Sequence, residues 1–213
     1  FGTERVLEIV KKVRENIQMD DPSQLQKYLG VMHHLVRKEV SGDTITEVTF
    51  DMAQYFRSAI EDYCSLSGES LYKVLTPFAP RMEGDALDKL LAEKGTMAEH
   101  AAHCVMKLMY GARMAMPCLC VIISRLSAQI SKWNKDSDRR LHRVFCYLKH
   151  TLDIKLHGSL STADWDSLKL VAWPDADLNG DYMDTKSTSG FFIELAGKDG
   201  RSMPLAWGAK KQG

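Results

Sequence analysis

The residues best placed to do chemistry lie in one short run, Trp173-Pro174-Asp175-Ala176-Asp177-Leu178-Asn179-Gly180-Asp181. An extended segment that carries an aspartate into a Gly/Asn/Asp loop can present carboxylate oxygens to a hard cation such as Mg²⁺. On a strand, Asp175 and Asp177 would project to the same side. The same residue types also collect in turns because they hydrogen-bond locally, so spacing alone leaves both readings open. A second group consists of Lys132, Lys135, Arg139, Arg140 and Arg143, a cationic series suited to a phosphate backbone or to an ordinary solvated helix face. Cys118 and Cys120 with His103 and Cys104 lack the Cys-x₂-Cys spacing of a zinc site and read as packed thiols. His33 and His34 are adjacent on a strand-like run, so their rings face opposite sides. Met106, Met109, Met114 and Met116 read as core filling, and Trp133 and Trp165 as packing residues that could alternatively stack on bases.

The elements that must position these groups follow from hydrophobic spacing. Val6, Val10, Val13 and Ile17 recur at helical intervals over 3–19, with Thr3 as N-cap and Asp20-Asp21-Pro22-Ser23 as the stop. Gln26 to Val40 and Thr44 to Phe50 read as two strands joined by Ser41-Gly42-Asp43, a hairpin. Met52 to Cys64 is helical. The pattern weakens from 65 to 95, where Thr76-Pro77-Phe78-Ala79-Pro80 is an extended strap. Three helical segments follow, over 97–115, 117–133 and 138–152, the third capped by Asp136 or Ser137. Residues 168–173, 189–195 and 201–207 then read as three strands. The fold class expected is α+β.

The chain has 213 residues, 28 Lys+Arg and 28 Asp+Glu, the composition of a folded protein. The zero net charge conceals a gradient. Residues 91–158 hold 11 basic and 5 acidic side chains, net +6, between a segment of net −4 and one of net −2. Five of the seven histidines lie in the same middle block. Five cysteines, an odd number set mostly in apolar patterns, point to reduced thiols and a cytoplasmic or nuclear setting. No signal peptide or membrane span is visible, and the longest apolar run is broken by Pro117. The start at Phe1 and the halt after a strand suggest a piece of a longer chain.

Three blocks carry a family resemblance: Trp173 to Asp181, then Thr185-Lys186-Ser187-Thr188-Ser189-Gly190-Phe191, then Leu205-Ala206-Trp207-Gly208-Ala209-Lys210-Lys211-Gln212. In order and spacing they resemble the opening of the ribonuclease H domain in copia-type retrotransposon Pol polyproteins. Upstream, Lys27 to Val31, Leu75-Thr76-Pro77, Met106 to Tyr110 and Leu141 to Lys149 resemble the end of the reverse-transcriptase palm, its connector and thumb-like helices. The resemblance implies three parts: a palm remnant with its β-hairpin over 1–75, a helical connector and thumb-like region over 76–158, and the first strands of a ribonuclease H-like α/β domain over 159–213. It implies Asp175 as the first Mg²⁺-binding catalytic carboxylate. The five basic residues become contacts to a primer-template or RNA/DNA hybrid, the rest of the polyprotein a partner, and dNTPs substrates of the complete enzyme. The family's Tyr-x-Asp-Asp polymerase hairpin and later ribonuclease H carboxylates would fall outside this segment, which is therefore expected to be inactive by itself. Where the family usually shows Arg-Pro followed by an acid, this chain has Met116-Pro117-Cys118. Two other readings stand beside this one: a non-catalytic nucleic-acid-binding module, and a degenerate remnant of the element.

Overall fold

The computed structural model describes residues 3–19, 25–177 and 187–212, and the chain folds as a mixed α+β protein. Helix α1 (Thr3–Arg14) has acidic Glu4 in its first turn and Lys11, Lys12 and Arg14 in its last, which suits the helix dipole. Its apolar residues Val6, Leu7 and Ile9 stay exposed. The expected stop at Asp20 to Ser23 lies outside the described residues, as do Leu178 to Lys186, and nothing is described of the Thr3 side chain.

The expected single strand over 26–40 is two strands. β1 (Lys27–Tyr28) and β2 (Val31–Val40) pair with each other across Leu29 and Gly30, both at positive φ (48° and 80°). Glycine supplies that conformation without a steric penalty, and the turn folds the chain back after two residues. β2 then turns at Ser41-Gly42 into β3 (Asp43–Asp51), forming the expected hairpin. Helix α2 (Ala53–Ser67) ends at Gly68, left-handed at φ 69°, with its N–H bonded to the Cys64 carbonyl.

The weak stretch contains a helix that periodicity did not indicate, α3 (Asp85–Ala92), which has no buried residue and so no apolar stripe to announce it. Beyond it come α4 (Ala101–Ala115), a 3₁₀ turn at Pro117–Leu119, α5 (Cys120–Ser127), a second 3₁₀ turn at Ile130–Lys132, and α6 (Lys135–Lys149). The cap of α6 is Asn134, whose Oδ1 accepts the Ser137 N–H at 3.0 Å. Neither Asp136 nor Ser137 serves as the cap; both sit within the first turn. Strand β4 (Leu156–Ser161) pairs antiparallel with β3 and completes a sheet of order β1-β2-β3-β4. This strand crosses position 158, so the third segment expected from 159 begins inside the first sheet. A separate sheet, order β5-β6-β7, follows from β5 (Lys169–Asp177), β6 (Thr188–Ala196) and β7 (Ser202–Lys211).

The core belongs to the helices. Phe56, Ile60 and Tyr63 of α2 meet Val105 and Leu108 of α4, Ile122 and Ile123 of α5, and Leu141, Val144 and Phe145 of α6, all buried. Each such large side chain removed from water contributes roughly 1.5–3 kcal/mol. Tyr63 stacks on Phe145 with centroids 4.1 Å apart and planes 11° from parallel. Gly111 lets α4 close on α2, because a Cβ there would occupy the space of the Phe56 ring. Met116 joins this core and Met109 and Met114 lie at its edge, whereas Met106 points to solvent at 54% exposure, against the expectation for all four. Among the described residues, no helix is long and apolar enough to cross a membrane.

Besides the packing of Met203 and Pro204 of β7 against Gly158 of β4, polar contacts among the described residues fasten the second sheet to the first unit. Buried Asp164 accepts the Lys198 N–H at 2.7 Å and the Ser161 N–H at 3.0 Å, tying the β6–β7 turn to the end of β4. The Trp207 indole N–H donates to the Ala112 carbonyl at 2.8 Å. Arg125 of α5 pairs with Asp177 at 3.1 Å.

Candidate nucleic-acid interface

The five basic residues separate into two physical kinds. Arg140 is buried, and its Nε lies 2.6 Å from Asp136, itself only 2% exposed. Arg139 donates from Nε and a terminal nitrogen to the same carboxylate, at 3.0 and 2.7 Å, and from its other nitrogen to the Pro80 carbonyl. Arg143 donates through Nε to the Thr76 carbonyl at 3.1 Å. These arginines hold the 76–80 strap against α6 and neutralise a buried acid. As the chain is folded, Arg140 has no surface to offer a phosphate.

Lys132 and Lys135 are exposed. Lys135 is engaged with Glu93 in an ion pair, while Lys132 borders an open groove of about 370 Å³ shared with Lys94, Glu99, Ile130 and Trp133, two lysines against one carboxylate among the described lining residues. Sequence reasoning missed Lys94, which lies in the patternless stretch. An isolated bridge between Lys94 and Asn134, with the Lys135 N–H donating to the Glu93 carbonyl at 3.1 Å, brings that stretch alongside the start of α6. Trp133 is buried, and its Nε1 donates to Asp138 at 2.6 Å, so its ring is a wall of the groove and not a stacking platform. Asp138 also accepts the backbone N–H groups of Thr96 and Met97, at 2.6 and 3.2 Å, and thereby fixes the groove's other wall. Trp165 is 60% exposed.

Asp175 and Asp177 lie on β5, two residues apart, as the spacing requires. Asp175 stands opposite Gly190 of β6, which stands opposite Ala209 of β7. One carboxylate of this pair is committed, because Arg125 holds Asp177. Asp181 lies outside the described residues. Among those described, no three His, Cys, Asp or Glu side chains gather as a metal site. A hard dication wants several oxygen ligands, so the residues described at this end of β5 do not by themselves fit Mg²⁺.

The cysteine-histidine reading of a zinc site gains nothing from the geometry. All five cysteines are free thiols. Burial pushes Cys104 and Cys120 up to about 11 and raises Cys118 as well, so these side chains are neutral thiols at physiological pH. On β2, the His33 ring meets Phe50 edge-on at 5.4 Å and His34 lies 3.8 Å from Asp51, the two rings leaving the strand separately.

No family model matches the chain, and no solved structure matches it.

Proposed function

We propose that this chain is a segment of a copia-type retrotransposon Pol polyprotein, spanning the end of reverse transcriptase and the start of ribonuclease H, and that it grips primer-template nucleic acid. On this reading α1, β1 to β3 and α2 are the palm remnant. Helices α3 to α6 with the strap are the connector and thumb-like region, and β5 to β7 open a ribonuclease H-like domain. The observation that carries the reading is convergence. The described parts of the three resembling blocks fall on three consecutive antiparallel strands and meet in one row, Asp175, Gly190 and Ala209. In the complete enzyme Mg²⁺ would be held by Asp175 together with carboxylates from further along the polyprotein.

The family assignment is tested by reading the transcript on both sides of the segment. A Tyr-x-Asp-Asp motif upstream and an acidic cluster downstream are expected, and the absence of both would sink it. In a chain completed in this way, Asp175→Asn should abolish cleavage of RNA in a hybrid while leaving the melting temperature unchanged. Retained cleavage would mean that another carboxylate holds the metal.

A binding module without catalysis is the second reading, favoured by the exposed Lys94 and Lys132 on one groove. It is separated from the first by a completed chain that binds hybrid but never cleaves it.

A further inference from the structure

A cavity lies away from the lysine groove, where α4 and α5 meet the free edge of β7. Its volume is about 520 Å³, within the range of small-molecule sites. Met109, Cys120 and Ile123 form the helical wall, and Phe191 and Trp207 form the sheet wall. Two observations give this cavity a chemical preference.

The first is charge. The lining contains Arg113 and Lys210, both exposed, and no carboxylate. Neither cation makes an ion pair among the described residues. Cys120, the one other titratable group on the described lining, is held neutral by burial, so the cavity carries two positive charges with no carboxylate among the described lining residues to balance them.

The second is shape. Phe191 and Gly208 are opposite each other across β6 and β7, and a Cβ on Gly208 would come within 3.1 Å of the Phe191 ring. The ring therefore lies over the bare glycine, and the residue remains 47% exposed. Lys210 is two positions along the same strand, hence on the same face and diagonal to Phe191, a separation of about 7–8 Å. The Trp207 indole is pinned by its bond to the Ala112 carbonyl, so its part of the sheet wall is preformed.

We propose that this seam binds a small aromatic acid, its flat ring against Phe191 and its anionic head between Lys210 and Arg113. The chemistry is shared by free aromatic carboxylates and by nucleotides, in which a base and a phosphate play the two parts. The site stands on its own residues and does not depend on the nucleic-acid reading.

Isothermal titration of the whole chain with 2-naphthoate, 2-naphthalenemethanol, thymidine 5′-monophosphate and thymidine tests it. The acid should bind one to one, at least tenfold tighter than the alcohol, and Arg113→Gln and Lys210→Gln should each weaken it at least fivefold. If the nucleotide is the natural form, it should outcompete naphthoate, and thymidine should not. Amide shifts on titration should centre on Gly208 and Ala209, a readout independent of the variants. Acid and alcohol binding within threefold of each other, variants equal to the parent, or shifts centred elsewhere would each overturn the proposal. Both substitutions replace exposed side chains, so an unchanged melting temperature is expected and separates lost binding from lost fold.

Discussion

Removing the carboxylate of Asp136 should cost far more stability than any surface charge in this chain. Asp136 is 2% exposed and meets Arg140, whose side chain is 10% exposed, and Arg139, at 26%. The pair also has the favourable order on a helix, acid four residues before base, in the first turn where the dipole welcomes negative charge. Leaving one member of a buried ion pair without its partner typically costs about 3–5 kcal/mol. For a chain of this size each kcal/mol moves the melting temperature by roughly 2–4 °C, so Asp136→Ala should lower it by about 6–20 °C. Arg140→Ala should fall by a comparable amount. The double variant Asp136→Leu/Arg140→Met should recover much of the loss, since an apolar pair of similar volume needs no desolvation of charge. Urea unfolding followed by circular dichroism measures all three. A single Arg140→Met variant, assayed well below its midpoint for hybrid binding, should stay within twofold of the parent. A large binding defect in Arg140→Met with no loss of stability would refute the assignment of this arginine to structure.

Three further outcomes follow from the packing and the charges. The backbone N–H groups of Lys198 and then Ser161 hold Asp164 below the usual carboxylate range, with Arg201 and Lys198 adding to the effect. A lowered folded-state pKa stabilises fully above the unfolded value near 3.8 and loses that contribution as pH falls through the lower folded value. Asp164→Asn should thus destabilise at neutral pH and flatten the acid limb of a melting-temperature profile below about pH 4. Gly111→Ala, ordinarily helix-stabilising, should destabilise by about 1–3 kcal/mol because the new methyl meets the Phe56 ring; Gly111→Ala with Phe56→Leu should recover part of that in chemical denaturation. Asp138→Asn should loosen the lysine groove, seen as faster hydrogen exchange at Thr96 and Met97, whose N–H groups it accepts.

The sequence made some elements legible and hid others for physical reasons. Helices α2, α4 and α6 bury continuous stripes, so their 3.6-residue period was readable, and the β2–β3 hairpin was marked by its Gly42 turn. Strand β1 has two residues, too few for any alternation to register, although Gly30 marked its turn. Helix α3 buries nothing and β4 gains its meaning from pairing with β3 more than a hundred residues earlier, so neither leaves a local pattern. Within the candidate interface, Lys132 is exposed, as charge on a turn outside any apolar stripe suggests. Arg140 was misjudged as surface, though an aspartate four residues before it was the available signal. Lys94 was invisible because only the bridge to Asn134 brings it to the groove. The seam cavity joins residues 109–124 to 191–210 and could be inferred from neither segment alone.

The nucleic-acid assignment meets its most direct test in the affinity of the whole chain for a fluorescently labelled RNA/DNA hybrid, measured by anisotropy between 50 and 200 mM salt (roughly the range over which counterion release is read). The account predicts binding that weakens steeply and linearly in log affinity against log salt, with Lys94→Ala and Lys132→Ala each shallowing the slope by about one. Binding absent at the lowest salt, or a slope that neither lysine alters, would contradict it.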